Sequence, residues 1–98
     1  MSWQDLNKRE LASLISSGTL EPVELTFAVE HLGKLAYDDP ALVRRTLTPL
    51  LSHADALVRE GVIYGLDGHL DDELHERIEA MAFDPSPGVR AAAVGLLS

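Results

Sequence analysis

The sequence contains no cysteine, few basic residues and no long apolar run. Without cysteine, disulfides, thiol catalysis and thiolate metal sites are excluded. Eight Lys and Arg stand against sixteen Asp and Glu, and the net charge of −8 disfavours phosphate backbones and anionic lipids as partners. No segment approaches the ~20 apolar residues of a membrane span, and no signal peptide pattern precedes the first acid. We therefore expect a cytoplasmic protein that binds neither nucleic acid nor membranes.

The residues that are present predict one folded domain over 1–98. Hydrophobic residues make up 46% of the chain and charged residues 24%, which is the composition of a globular protein and not of a disordered one. A chain of 98 residues can bury one modest core.

A 31-residue internal repeat organises this domain. Residues 58–66 recur as residues 89–97, and both copies begin with Val-Arg. An earlier copy is weaker, because the position equivalent to Arg59 is occupied by Ala28. Periods of about 20–50 residues are typical of stacked supersecondary units. The three predicted units span approximately residues 3–37, 38–68 and 69–98.

Each unit carries two amphipathic patterns with helical spacing, and no segment alternates as a strand does. The six predicted helices begin at or near Trp3, Pro22, Pro40, Asp55, Asp71 and Val89. Pro49 falls inside the third pattern, where a proline removes one backbone hydrogen bond and bends a helix. The sequence therefore predicts an all-α fold of six helices in three pairs.

The second and third units carry a family resemblance. Residues 47–51 (Leu-Thr-Pro-Leu-Leu), an aspartate, Val-Arg and a small or apolar run resemble a HEAT repeat, in particular the short bacterial variety also found in bilin lyases. The resemblance implies an α-solenoid of antiparallel helix pairs whose second helices line a concave side. It also implies a ladder of polar contacts between repeats, formed by Asp55, Arg59, Asp84 and Arg90. It implies no single activity.

The outward side of the second helices is the first candidate binding surface. If Val58, Val62 and Leu66 face inward, the outward residues of the fourth helix are Glu60, Tyr64 and Asp67. The repeat offset places beside them Val29, Gly33 and Ala36 on one side and Ala91, Gly95 and Ser98 on the other. This predicts a smooth groove with one tyrosine, a residue that recurs at binding hot spots. The alternative is an exposed tyrosine with no role beside neighbours kept small for packing.

The second candidate surface is acidic. Residues 67–84 hold seven acids and one base, and we predict that Asp72, Glu76 and Glu79 dock a basic partner. The alternative is that the acids stabilise a helix N-terminus and cover a solvated face.

Catalytic and metal motifs are missing. No Gly-x-Ser-x-Gly elbow, phosphate loop or HExxH spacing occurs, so we expect no enzyme activity, no metal and no cofactor. Gly61 and Gly65 fall inside a predicted helix, where glycine costs about 1 kcal/mol relative to alanine. We expect them to mark a close approach of two helices.

The last helix has few polar side chains, and Ala92 and Leu96 are expected to lack cover. This indicates a homodimer or a longer array formed through the C-terminal helix, unless its small side chains tolerate exposure.

The function predicted overall is a non-catalytic protein-binding scaffold. The alternatives are a small acidic inhibitor of a basic partner, such as an immunity protein or antitoxin, and an accessory subunit resembling the chromophore lyases.

Overall fold

The computed structural model describes residues 2–98, which form six α-helices and no strand. The all-α class predicted from the sequence is confirmed. The helices are α1 (Lys8–Ser16), α2 (Pro22–Leu35), α3 (Pro40–Leu47), α4 (Ala56–Gly65), α5 (Asp72–Ala80) and α6 (Pro87–Leu97). Short 3₁₀ segments cover Trp3–Asp5, Thr48–Ser52 and Met81–Phe83.

Local capping decides where several helices begin. The helix predicted from Trp3 begins only at Lys8, because Asn7 and Glu10 form a reciprocal capping box there. Asp39 accepts a hydrogen bond from the Leu42 N–H, and Asp71 accepts one from the Leu74 N–H. An aspartate at this position satisfies an N–H group that has no partner within the helix.

Prolines account for two further differences from the predicted helices. Pro49 does not bend a continuous helix: α3 ends at Leu47, and the chain continues as the 3₁₀ segment Thr48–Ser52. The last helix begins at Pro87, two residues before the predicted Val89. Proline fits the first turn of a helix, because its missing N–H would have no helical partner there.

Helices α2, α4 and α6 form a row in which α2 packs against α4 and α4 packs against α6. Helix α1 contacts α2 and α3, while α5 contacts α6. One connected apolar core runs through these contacts, and its largest fully buried side chains include Leu11, Leu32, Leu47, Ile63 and Ile78. The described chain measures 37 × 26 × 17 Å.

Glycines bring α2 and α4 together, as predicted for Gly61 and Gly65. A methyl group at Gly33 would collide with the carbonyl oxygen of Gly65, and one at Gly61 would collide with the Thr26 hydroxyl. A methyl group at Gly65 would lie 2.6 Å from the Val29 carbonyl oxygen. The Thr26 hydroxyl itself donates a 2.8 Å hydrogen bond to the Leu57 carbonyl across the same contact. The two helix backbones therefore lie in direct contact.

Candidate functional site

Arg59 joins α4 to the turn that precedes α6. Its Nε and Nη2 donate to the two carboxylate oxygens of Asp84, both at 3.0 Å, while its Nη1 donates to the carbonyls of His53 and Ala54 at 2.8 and 3.1 Å. The side chains of Arg59 and Asp84 are only 15% and 10% exposed. The Arg59 hydrogen bonds, followed by the Ser86 N–H, lower the pKa of Asp84 below its usual range. This two-pronged pair is a strong, oriented contact.

Arg90 repeats only half of this pattern. Its Nη1 donates to the carbonyls of Asp84 and Pro85 at 2.9 and 3.1 Å, which are the Arg59 contacts shifted by 31 residues. Its Nε and Nη2 have no carboxylate partner among residues 2–98. Of the four predicted ladder residues, the structure therefore brings Arg59 and Asp84 together, while the Nε and Nη2 of Arg90 remain without a carboxylate partner among residues 2–98.

Asp55 and Asp84 do not hold equivalent positions, although the predicted ladder includes both. Asp55 is the N-cap of α4 and accepts from the Leu57 N–H at 2.8 Å. The N-cap of α6 is Ser86, and Asp84 lies two residues before it. The position 31 residues before Asp84 is His53, whose Nδ1 accepts from the Asp55 N–H as Asp84 accepts from the Ser86 N–H.

Tyr64 stands at the edge of a shallow groove between α4 and α6. The groove has a volume of about 170 Å³ and is lined by Tyr64, Asp67, Ala91, Ala92, Gly95 and Leu96. Tyr64 is 50% exposed, and no atom lies within 4 Å of where a Gly95 side chain would begin. Pockets for drug-sized ligands measure about 300–1,000 Å³. This groove is smaller and suits one protruding side chain.

Two carboxylates lie beside Tyr64. The Tyr64 hydroxyl donates a long hydrogen bond of 3.4 Å to Glu60, whose other oxygen lies against Gly88 at the start of α6. Partial burial, Glu60 and Glu30 together raise the pKa of Tyr64. Partial burial and Glu60 also raise the pKa of Glu30, while Lys34 opposes them. The carboxylates of Glu30 and Glu60 therefore repel one another at this edge of the groove.

Glu30 was not identified from the sequence. The 31-residue offset pairs Glu60 with Val29. A strict repeat alignment therefore selects Val29 and misses Glu30, the next residue, whose carboxylate interacts with Glu60. A helical wheel of α2 that included Glu30 and Lys34 as a one-turn pair would have drawn attention to it.

The predicted stripe does not continue onto α2. Val29 and Ala36 are fully buried and Gly33 is buried against α4, so none of the three is part of a surface, and Val29 and Gly33 lie at the α2–α4 contact. The prediction was wrong here because the glycine contact turns this side of α2 toward α4. On α6, Ala91 and Gly95 are exposed as predicted, and Ser98 lies exposed after the helix.

Asp72, Glu76 and Glu79 are exposed on α5, and none of them lines the Tyr64 groove. Glu79 lies 3.3 Å from His75, one turn earlier on the same helix. The predicted partner-binding residues therefore fall on two separate surfaces, one formed by α4 and α6 and one formed by α5.

The exposed residues of α6 differ from those predicted. Ala92 is 3% exposed and Leu96 is partly buried, so other residues of the chain pack over both. Val94 is 56% exposed, whereas Ile63, its counterpart one repeat earlier, is fully buried. The uncovered side of α6 therefore contains Val94 and the free fork of Arg90.

Within residues 2–98 no group of three or more His, Asp or Glu side chains is arranged to hold a metal ion. None of the described helices has the length and apolar character needed to cross a membrane. Comparison of the chain with protein-family models, curated proteins and solved structures finds no match.

Proposed function

We propose that the chain is a non-catalytic protein-binding module built from three stacked HEAT-like helix pairs. The observation that supports the stacking is the recurrence of the Arg59 carbonyl contacts at Arg90, 31 residues later. The α2–α4–α6 row corresponds to the second helices of such a solenoid.

The surface proposed to bind a partner is the α4–α6 groove with its acidic edge. Tyr64 supplies a large contact area with few rotatable bonds, and the open space above Gly95 admits a partner side chain. Glu30 and Glu60 are acceptors only, and a lysine or arginine of the partner placed beside them adds to the attraction that Lys34 already exerts on Glu30. The chemistry favours a partner that presents a basic side chain beside an apolar one.

Affinity capture from a lysate of the source cells, using matched tyrosine variants, tests this surface. Tyr64→Ala should lose the captured protein, whereas Tyr37→Ala, which removes a tyrosine 77% exposed outside the groove, should retain it. A protein captured equally by both variants would place the binding surface elsewhere.

The acidic face of α5 supports a second candidate function, a small inhibitor that covers a basic surface. Asp72 and Glu76 form no ion pair within the described chain, so their charge is available to a partner. The variant Asp72→Asn/Glu76→Gln/Glu79→Gln should slow association with such a partner and weaken its dependence on salt. If the Tyr64 groove is the site, this variant changes binding little.

The uncovered side of α6 is proposed to join a second copy or a further repeat. Arg90 offers the donors that Arg59 gives to Asp84, and Val94 takes the place of the buried Ile63. Sedimentation at increasing concentration should show self-association that Val94→Asp abolishes. A monomer at every concentration would exclude pairing of this kind.

A further inference from the structure

A second opening lies on the other side of the molecule, between α1 and the segment formed by α3 and its 3₁₀ continuation. Its polar end has a volume of about 550 Å³ and its apolar end about 300 Å³. Ser16, Arg45 and Thr46 line both ends, so the two form one continuous cleft. The apolar end alone has the size of a small-molecule site.

The apolar end is lined by side chains from three parts of the chain. Ile15 and Leu25 are 2% and 4% exposed, and the partly buried Leu20 and Leu50 complete the walls. Gly18, with φ of 75°, turns the chain between α1 and α2 at this end. An apolar tail would therefore lie mainly against Leu20 and Leu50, with core residues beneath them.

The polar end carries more positive than negative charge. Arg9 and Arg45 line it, and neither forms an ion pair or a side-chain hydrogen bond within residues 2–98. The only acid in the lining, Asp39, accepts from the Leu42 N–H, lies 3.4 Å from Lys8 and also interacts electrostatically with Arg45. The lining therefore keeps an excess of one positive charge in a chain of net charge −8, which favours an anion at this end.

Thr46 supplies an independent observation. The residue is 7% exposed and lines both ends of the cleft. Only His31 Nε2 and His69 Nδ1 are fully buried side-chain atoms without a hydrogen-bond partner in the described chain, so the Thr46 hydroxyl remains accessible. An accessible hydroxyl in the lining can donate a hydrogen bond to a ligand.

We propose that the cleft binds a small amphipathic carboxylate. The apolar part lies among Leu20, Leu25 and Leu50, and the carboxylate accepts hydrogen bonds from Arg45 and Thr46. A guanidinium pairs with a carboxylate in two-pronged geometry, and an apolar tail of a few carbons fits the volume of the apolar end.

Octanoate, kept below the concentration at which it forms micelles, is the probe, and octanol and octylammonium are the uncharged and cationic comparators. Titration of the ¹⁵N-labelled chain should give saturable shifts at the Ser16 and Thr46 amides. Octanoate should bind about tenfold more tightly than either comparator. Arg45→Gln should remove that advantage while leaving octanol binding unchanged, and Thr46→Val should reduce it in part. Arg90→Gln is the matched control and should have no effect.

Three results would overturn the proposal. The first is equal affinity for octanoate and octylammonium, and the second is an absence of saturable shifts. The third is a set of shifts at the cleft amides that follows protein concentration, because that would show a second copy in the cleft. Since Arg45 is exposed, its replacement leaves the fold intact, and loss of binding reports on the site.

Discussion

The α2–α4 contact and the α1–α3 cleft are built from helices of the same protein, but their packing differs. At Gly33, Gly61 and Gly65 there is no room for a methyl group, whereas α1 and α3 leave an opening of about 550 Å³ at its polar end. Residue size explains the difference: glycines let two backbones touch, while arginine and serine side chains line the opening. One side of the molecule is thus a closely packed row that can present a binding surface, and the other keeps space for a small ligand.

The largest expected effect on stability comes from adding a methyl group at the glycine contact between α2 and α4. Gly33→Ala places a methyl group against the backbone of α4, and backbone atoms cannot move aside as a flexible side chain can. We expect a loss of at least about 3 kcal/mol in the free energy of unfolding, measured by urea denaturation. A loss below about 1 kcal/mol would show that α2 and α4 lie further apart than described.

Removing the Arg59–Asp84 bridge should have the next largest effect. Arg59→Ala breaks the pair with Asp84 and leaves a mostly buried carboxylate without its partner. We expect the free energy of unfolding to fall by about 2 kcal/mol, a value between those typical of exposed and of buried ion pairs. This corresponds to a fall of about 10 °C in Tm. Arg90→Ala is the matched control, because it removes carbonyl contacts without breaking an ion pair. Equal losses in the two variants would show that the ion pair contributes nothing.

The same bridge predicts a dependence of stability on pH. Because the pKa of Asp84 in the folded protein lies below its ordinary value of 3.8, its stabilising contribution is complete above that value. The contribution is lost as the pH falls through the lowered pKa, where the carboxylate takes up a proton. The free energy of unfolding should therefore fall less between pH 5 and pH 2 in Asp84→Asn than in the unaltered protein. Parallel pH profiles for the two proteins would contradict the assigned pairing.

The smallest effect should have the opposite sign. Gly95 also lies in a helix, but no atom occupies the space beside it. Gly95→Ala should therefore raise stability by about 0.5–1 kcal/mol in the same urea experiment, since alanine is the better helix former. A destabilised Gly95→Ala would indicate that the groove beside Tyr64 is closed in solution.

The fold class and the positions of most helices could be predicted from the sequence, because apolar spacing and capping act locally. The contact of Gly61 and Gly65 with α2 could also be anticipated, since a glycine inside a helix has a cost that close packing offsets. The rotation of α2 could not be predicted. Val29 and Gly33 were expected on the surface and are buried, because the facing positions on α4 decide which side of α2 is covered.

The candidate site was predicted in part. Tyr64 and Asp67 line the α4–α6 groove together, as predicted. Glu30 belongs to the site only because α2 packs against α4, which brings its carboxylate near Glu60. The cleft that contains Arg45 and Thr46 was not anticipated. It depends on the separation of α1 and α3, which has no signature in either segment alone.

The most direct test of the α4–α6 groove is to map where the captured partner covers the chain, by cross-saturation NMR of the complex. If the partner binds in the groove, saturation reaches Tyr64, Asp67, Ala91 and Gly95, while amides of the α1–α3 cleft such as Ser16 and Thr46 are unaffected. Saturation confined to the cleft, or to α5, would show that the α4–α6 groove is not the partner-binding surface.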